Sequence, residues 1–269
     1  MPRPEDCETL CLETKGLSVA YSSALVVDNL NLSIPSGALT ALTGPNGSGK
    51  STLLRALSGL LSPTHGSVLL DGRSISRFTT REVALQVGVL AQGPVAPEGL
   101  TVLDLARQGR YPHRPLFARW SEKDTAACDR ALSLTGMTEL GDRPVDQLSG
   151  GQRQRAWIAM TLAQETPILL LDEPTTYLDL AHQIEVMELA SSLVRTMGKT
   201  VVTVLHDLNQ AARYADHMVM LKAGRIVASA PPAEVMTVEI VREVFDVESI
   251  IVPDPLTQTP MCIPVRRRP

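Results

Sequence analysis

The residues with the most evident chemistry form the run Gly44-Pro45-Asn46-Gly47-Ser48-Gly49-Lys50-Ser51-Thr52, which fits the phosphate-cradling pattern G-x-x-x-x-G-K-[ST] at each fixed position. Glycines let backbone N–H groups turn inward around phosphates, and a helix that follows adds its positive N-terminal end. Lys50 can then reach the β- and γ-phosphates of a nucleoside triphosphate, and the Ser51 hydroxyl can ligate Mg²⁺. A second chemical pair, Asp172-Glu173, follows the apolar run Ile168-Leu169-Leu170-Leu171. Two adjacent carboxylates at the end of a buried strand are costly unless metal or solvent pairs with them. Asp172 suits holding Mg²⁺ through water, and Glu173 suits polarising an attacking water.

Four further places carry weaker signals. His206 ends the apolar run Val201 to Leu205. Alone it reads as a satisfied histidine, but strand ends in an open parallel sheet face the ligand crevice, which would set it beside the glycine loop and Asp172. Gln92 stands where the apolar strand-like run from Val87 gives out, and could bind Mg²⁺ or orient a water; a lone glutamine is more often a solvated loop residue. Tyr21 is one of few aromatics, at 3% of the chain, and its flat face could serve an adenine ring or simply pack. In Leu148-Ser149-Gly150-Gly151-Gln152, Ser149 is placed to N-cap the helical run Arg153 to Gln164, with glycines exposing helix-start N–H groups to an anion.

The elements that must position these residues follow from periodicity. Ala38 to Thr43 reads as a buried strand before the glycine loop and Lys50 to Leu60 as a helix after it; Gly16 to Tyr21 and Leu30 to Ile34 read as strands leading in. Ser67 to Leu70 is a strand closed by Asp71-Gly72, and Thr79 to Gln86 is a helix. From Leu100 to Gln164 the pattern is mostly helical, an insert between two halves of a sheet. Ile184, Met187, Val194 and Met197 stripe a helix that ends near Gly198. A hairpin around Ala223-Gly224, a helix from Pro231 and a proline-punctuated tail complete an α/β chain.

Composition narrows the class. With 269 residues, 44% of them hydrophobic, the chain can bury one large α/β core with an inserted subdomain. A formal charge of −4 gives no positive field, so no nucleic-acid partner is expected. Cys7, Cys11, Cys128 and Cys262 contain no C-x-x-C pair and read as free thiols. Apolar runs fall far short of the ~18–20 residues that span a bilayer. Met1 to Asp6 is acidic and proline-containing, unlike a secretory signal.

Taken in order, these motifs resemble those of the ATP-binding subunit of an ABC transporter, from about Gly16 to the tail. The resemblance implies a P-loop ATPase with a RecA-like core, an antiparallel β subdomain and an inserted helical subdomain: an ATPase domain over 8–245, its helical part at about 93–165, and a tail over 246–269. It gives Tyr21 the adenine, Gly44 to Thr52 the phosphates, and Gln92 the Q-loop position. Asp172 becomes the Walker B aspartate, Glu173 the catalytic glutamate, Asp179 the D-loop aspartate and His206 the switch histidine. Leu148 to Gln152 becomes the signature motif, and the cofactors are ATP and Mg²⁺. Two copies are expected to pair head to tail, so that Ser149, Gly150, Gly151 and Gln152 of one cover ATP held by the other.

Gly109-Arg110-Tyr111-Pro112-His113, Arg153 to Thr166 and Thr175-Thr176-Tyr177-Leu178-Asp179 are similar to the subgroup that imports ferric siderophores, close to those for haem and vitamin B12. That likeness implies a peripheral subunit on the cytoplasmic face of the inner membrane. It would drive a polytopic permease fed by a substrate-binding protein. An ATPase for haem or cobalamin, or a soluble ABC ATPase without transport, is the alternative.

Overall fold

The computed structural model describes residues 11–22, 24–114 and 118–267. The expected domain start at residue 8, Cys7, the Met1 to Asp6 run and the last residues of the tail lie outside the described residues.

Strands β1 (Leu12–Tyr21), β2 (Ala24–Ile34), β4 (His65–Leu70) and β5 (Arg73–Ser74) form an antiparallel sheet in the order β2-β1-β4-β5. Beside it runs a six-stranded sheet of β3 (Leu39–Thr43), β6 (Val87–Leu90), β7 (Ile168–Leu171), β8 (Thr200–Val204), β9 (His217–Lys222) and β10 (Arg225–Ala230), ordered β10-β9-β3-β8-β7-β6. Its pairs are parallel except β10 on β9, a hairpin closed at Ala223-Gly224 as the sequence predicts.

Continuous apolar runs suit this sheet because both of its faces are covered. Successive side chains of β7 leave on opposite faces. Ile168 and Leu170 join a core with Leu53 and Leu57 of α1 (Lys50–Leu57) and with Leu17 and Ile34 of the antiparallel sheet. Leu169 and Leu171 face a second core containing Leu105, Trp157, Ile158 and Met187. All four β7 side chains are at most 3% exposed, and each such burial contributes about 2 kcal/mol to holding the strand in register.

Helix α1 stops at Leu57, short of the expected Leu60, because Ser58 turns its hydroxyl back to Arg55 O (2.8 Å) and Gly59 takes φ 73°. After α2 (Thr80–Ala84), the chain between β6 and β7 holds α3 (Val102–Gln108), α4 (Glu122–Leu134) and α5 (Gly150–Ala163). This is the helical insert expected from the sequence. The insert is tied together by Arg110, 4% exposed, which donates to Asp124 Oδ1 (3.0 Å), Ala163 O (2.7 Å) and Glu165 Oε2 (2.8 Å).

Helix α6 (Leu180–Met197) ends at Gly198 as predicted, and its buried face is Val186, Met187, Ala190 and Leu193, with Val194 packed against the core; of the expected stripe, Met187 and Val194 belong to this side and Ile184 and Met197 are left exposed. Ile184 lies well round the helix from that face, and Met197, though on it, is the last residue; they are 41% and 49% exposed. Three short helices follow: α7 (Leu208–Tyr214), α8 (Pro232–Val235) and α9 (Val238–Phe245).

The tail is a hairpin, β11 (Val247–Pro253) with β12 (Pro260–Arg267). Asn209 of α7 holds it by accepting from Cys262 N (2.7 Å) and donating to Cys262 O (3.1 Å). At its turn, Asp254 accepts from Leu256 N (2.8 Å), Thr257 N (3.1 Å) and Arg213 Nη2 (2.6 Å). The Leu256 and Thr257 amides, and then Arg213, hold its carboxyl at about 2. A depressed carboxylate supports the fold above its ordinary value near 3.9 and loses that support as pH falls through about 2. The Leu256 and Thr257 amide resonances should therefore titrate with a midpoint near 2; a midpoint near 4 would show that the turn does not hold the ionised form.

Cys11, Cys128 and Cys262 are free thiols, and burial pushes Cys128 up to about 11.

Candidate functional site

Register decides which residues meet. Leu90 pairs with Leu171, Leu171 with Thr203, and Leu42 with Val204, so β6, β7, β8 and β3 end level. The chain leaving those ends supplies Gln92, Asp172-Glu173, His206 and the glycine loop, at the edge where open parallel sheets receive ligands. Between them is a cavity of about 590 Å³ lined by Asn46, Gly47, Gly49, Lys50, Ser51 and Thr52 and by Gln92, Glu173 and His206, while Asp172 lies outside the lining and reaches it through Ser51. That volume is within the range of small-ligand sites.

The loop geometry depends on glycine at its start. Gly44 takes φ 146°, and a Cβ there would lie 2.2 Å from Leu221 O. Gly47, at φ 76°, has nothing within 4 Å of where its Cβ would be, so the middle of the loop opens to the cavity. Ser48 Oγ is buried without a hydrogen-bond partner among the described residues, a donor left over inside the cradle. Pro45 and Lys50 are joined by the Lys50 ammonium, which donates to Pro45 O (3.0 Å) and Gly44 O (2.8 Å). Burial lowers the Lys50 pKa, opposed by the charges of Glu173 and Asp172. An incoming phosphate would give this 5%-exposed cation the anionic partner it lacks in the cradle.

The two carboxylates divide their work by direction. Asp172, 2% exposed, accepts from Ser51 Oγ at 2.8 Å. Burial raises its pKa above the ordinary carboxylate value, and Glu173 adds to the rise. A cation here would relieve that cost. Hydroxyl, carboxylate and amide oxygens from Ser51, Asp172 and Gln92 are the hard donors Mg²⁺ takes, alongside substrate phosphates and water. Among the described residues no cluster of three His, Cys, Asp or Glu side chains stands ready to hold a metal alone, so the fit is to an ion shared with phosphates.

Glu173 departs from extended backbone, at φ 52°, which swings its carboxylate into the cavity. Its Oε2 accepts from Gln92 Nε2 (2.7 Å) and Thr176 Oγ1 (3.0 Å), and its Oε1 from His206 Nε2 (2.8 Å). A carboxylate only accepts, so Nε2 of His206 carries a proton. Next along, Asp207 caps α7 by accepting from Asn209 N (2.8 Å) and Gln210 N (2.9 Å), which fixes how the chain leaves β8. The set can hold a water beside a phosphate and draw a proton from it.

Not every expected residue is here. Tyr21 ends β1 at 43% exposure and does not line the cavity, although its hairpin borders it through Val26. Ser149, Gly150, Gly151 and Gln152 also lie outside the lining. Ser149 caps α5 as expected, in a reciprocal box: its Oγ accepts from Gln152 N (3.3 Å) while Gln152 Oε1 accepts from Ser149 N (3.1 Å). Asp179 caps α6 and likewise lies outside the lining. Thr176 and Tyr177, marked by the sequence only for their likeness to the siderophore subgroup, do line the cavity; the hydroxyl three residues after Glu173 in a loop was the available signal for Thr176.

Comparison with known proteins agrees with this geometry. Residues 27–176 match the family described as ABC transporter. The chain is 55% identical to the petrobactin import ATP-binding protein FpuD of Bacillus anthracis over 253 residues, covering 94% of this chain and 93% of that protein. It is 51% identical to the ferric enterobactin transport ATP-binding protein FepC of Escherichia coli over 256 residues, covering 95% and 94%. Among solved structures, a metal-chelate type ABC transporter in an inward-facing conformation superposes with a TM-score of 0.83 at 28% identity, covering 95% of this chain and 98% of that one. Since the matched segment runs from the strand beside the cradle through both carboxylates to Thr176, the chain belongs to the ABC transporter family.

Proposed function

We propose that this ATPase powers the import of a ferric siderophore through a membrane permease. The observation that carries the reading is the similarity, along nearly the whole of both chains, to ATP-binding proteins named for petrobactin import and for ferric enterobactin transport. Among the described residues no helix is long and apolar enough to cross a membrane, so a separate permease fits the passage itself. The surface from Gln92 to about Tyr111 suits its docking at the cytoplasmic face: Val95 is 88% and Tyr111 68% exposed there, and Gln92 touches Glu173 directly. A substrate-binding protein would supply the chelate from the other side.

Hydrolysis follows from the cavity. Lys50 leaves the Gly44 and Pro45 carbonyls for the β- and γ-phosphates, while Gly47 and Ser48 offer backbone and hydroxyl donors to them. Ser51, Asp172 and the carbonyl of Gln92 would hold Mg²⁺, which supplies neutralisation of phosphate charge. Glu173, released from Gln92 and Thr176, polarises the attacking water, and the Nε2–H of His206 turns from its other oxygen to donate toward the γ-phosphate. Tyr21 would meet the adenine.

The site also wants donors on its open side. The capped start of α5, with Ser149 and three more residues bearing N–H groups, and Asp179 at the start of α6 suit the nucleotide of a second copy, head to tail. ATP would thus glue a homodimer whose closing and opening moves the permease.

The reading is tested in a strain deleted for this chain and without a substitute ATPase. Growth on ferric siderophores under iron limitation should be lost, and restored by the wild type but not by Lys50→Ala. Normal growth on siderophores with loss of haem or cobalamin uptake would move the assignment to that cargo, and normal uptake of all three would end the importer reading.

A further inference from the structure

His182, the third residue of α6, touches two segments that the proposed function sends to the partner copy. Its backbone N–H donates to Asp179 Oδ1 (3.0 Å), and its ring Nδ1 lies 2.6 Å from the same oxygen. A carboxylate only accepts, so Nδ1 carries the proton. These two contacts, backbone first, hold the Asp179 carboxyl below its ordinary value.

The ring's flank is pressed on the first turn of α5. A Cβ on Gly151 would fall 2.4 Å from Cδ2, 2.6 Å from Cγ and 2.9 Å from Nε2 of His182. Gly151 does not have a positive φ, so its backbone does not require glycine; the imidazole does. Glycine weakens a helix it does not terminate, and at this position it makes the room that the imidazole occupies. One turn on, Arg155 Nη1 of α5 reaches Glu185 Oε2 of α6 at 3.5 Å, so the two helix starts are joined twice.

Helix α5 belongs to the insert, whereas α6 follows the loop after the carboxylates. Farther along, the two helices share the second core through Ile158 and Met187, but their first turns, before Ala156 and Val186, contribute nothing to it; without a local tie a partner would have to order Ser149 and Asp179 separately on closing. We propose that His182 is a positioning residue for the shared site, clamping Asp179 and the Ser149-Gly150-Gly151-Gln152 turn into one unit that meets the partner's nucleotide as a whole. The proposal rests on the head-to-tail dimer above.

The test uses Glu173→Gln chains, expected to bind ATP and turn it over roughly 10²-fold more slowly, and follows ATP-dependent self-association by sedimentation alongside binding of a fluorescent ATP analogue to the monomer. Adding His182→Ala should weaken self-association about tenfold, the factor that one hydrogen bond to a charged group supports, and leave monomer binding unchanged. His182→Asn, which keeps a donor near the Nδ1 position, should recover part of the loss. Gly151→Ala alone should weaken self-association because its methyl meets the ring. Combined with His182→Ala, its further effect should shrink or vanish. Unchanged self-association, an equal loss in monomer binding, or strict additivity of the two variants would overturn the clamp. A Glu173→Gln parent that fails to associate with ATP would overturn the shared-site reading and the clamp with it.

Discussion

Glu173→Gln is expected to lower ATP turnover by roughly 10²-fold or more, the scale of a lost general base, while nucleotide binding persists. The substitution preserves size but halves the accepting capacity: Glu173 uses Oε2 for Gln92 and Thr176 and Oε1 for His206, whereas an amide has one oxygen. Keeping that oxygen toward Gln92 and Thr176 leaves an N–H facing His206 Nε2, and a neutral imidazole can shift its proton to Nδ1 and accept. The cavity therefore survives, and the missing function is the basic oxygen. An ATP-bound dimer should accumulate. Single-turnover hydrolysis measured beside equilibrium binding checks this, and a near-wild-type rate would assign the base elsewhere.

Ser149→Ala should depress hydrolysis by roughly 10²–10³-fold, the cost of losing one donor at developing phosphate charge, and leave binding by the isolated subunit nearly intact. The variant also loses the α5 cap, worth about 1 kcal/mol. A cap of that size lowers the melting temperature by only a few degrees in a chain this long. Melting temperature and rate thus separate the two roles. A mixed dimer of Lys50→Ala and Ser149→Ala chains sharpens the test, because a shared site gathers both lesions in one cavity and leaves the other whole. If hydrolysis fell as far in the mixed dimer as in the Ser149→Ala homodimer, each chain would be using its own serine.

Much of this site was legible because its positions follow strong punctuation. Apolar runs of strand length end in Asp172-Glu173 and His206, and the glycine loop separates β3 from α1; parallel register then makes strand ends neighbours. Other features left no such mark. Pro253 and Pro260 read as breakers of a loose tail, yet they pair across the end of a hairpin. The buried face of α6 could not be told from its apolar residues alone, since those in its terminal turns lie beyond the core. The contact of His182 with Gly151 joins residues distant in sequence, and neither residue type announces the other.

The alternation of β7 has a consequence for how such a site can vary. Counting in twos, Asp172 continues the side of Ile168 and Leu170, toward α1, and there it meets Ser51. Glu173 inherits the opposite parity and is turned aside only by its left-handed backbone. In the roles proposed above, parity delivers Asp172 to the ion, and the left-handed turn at Glu173 delivers its carboxylate to the water, before acid strength enters. Removing or adding a single residue in this strand would carry Asp172 away from Ser51 and send each buried β7 side chain to the opposite core, whereas an exchange among apolar side chains of similar size would disturb neither.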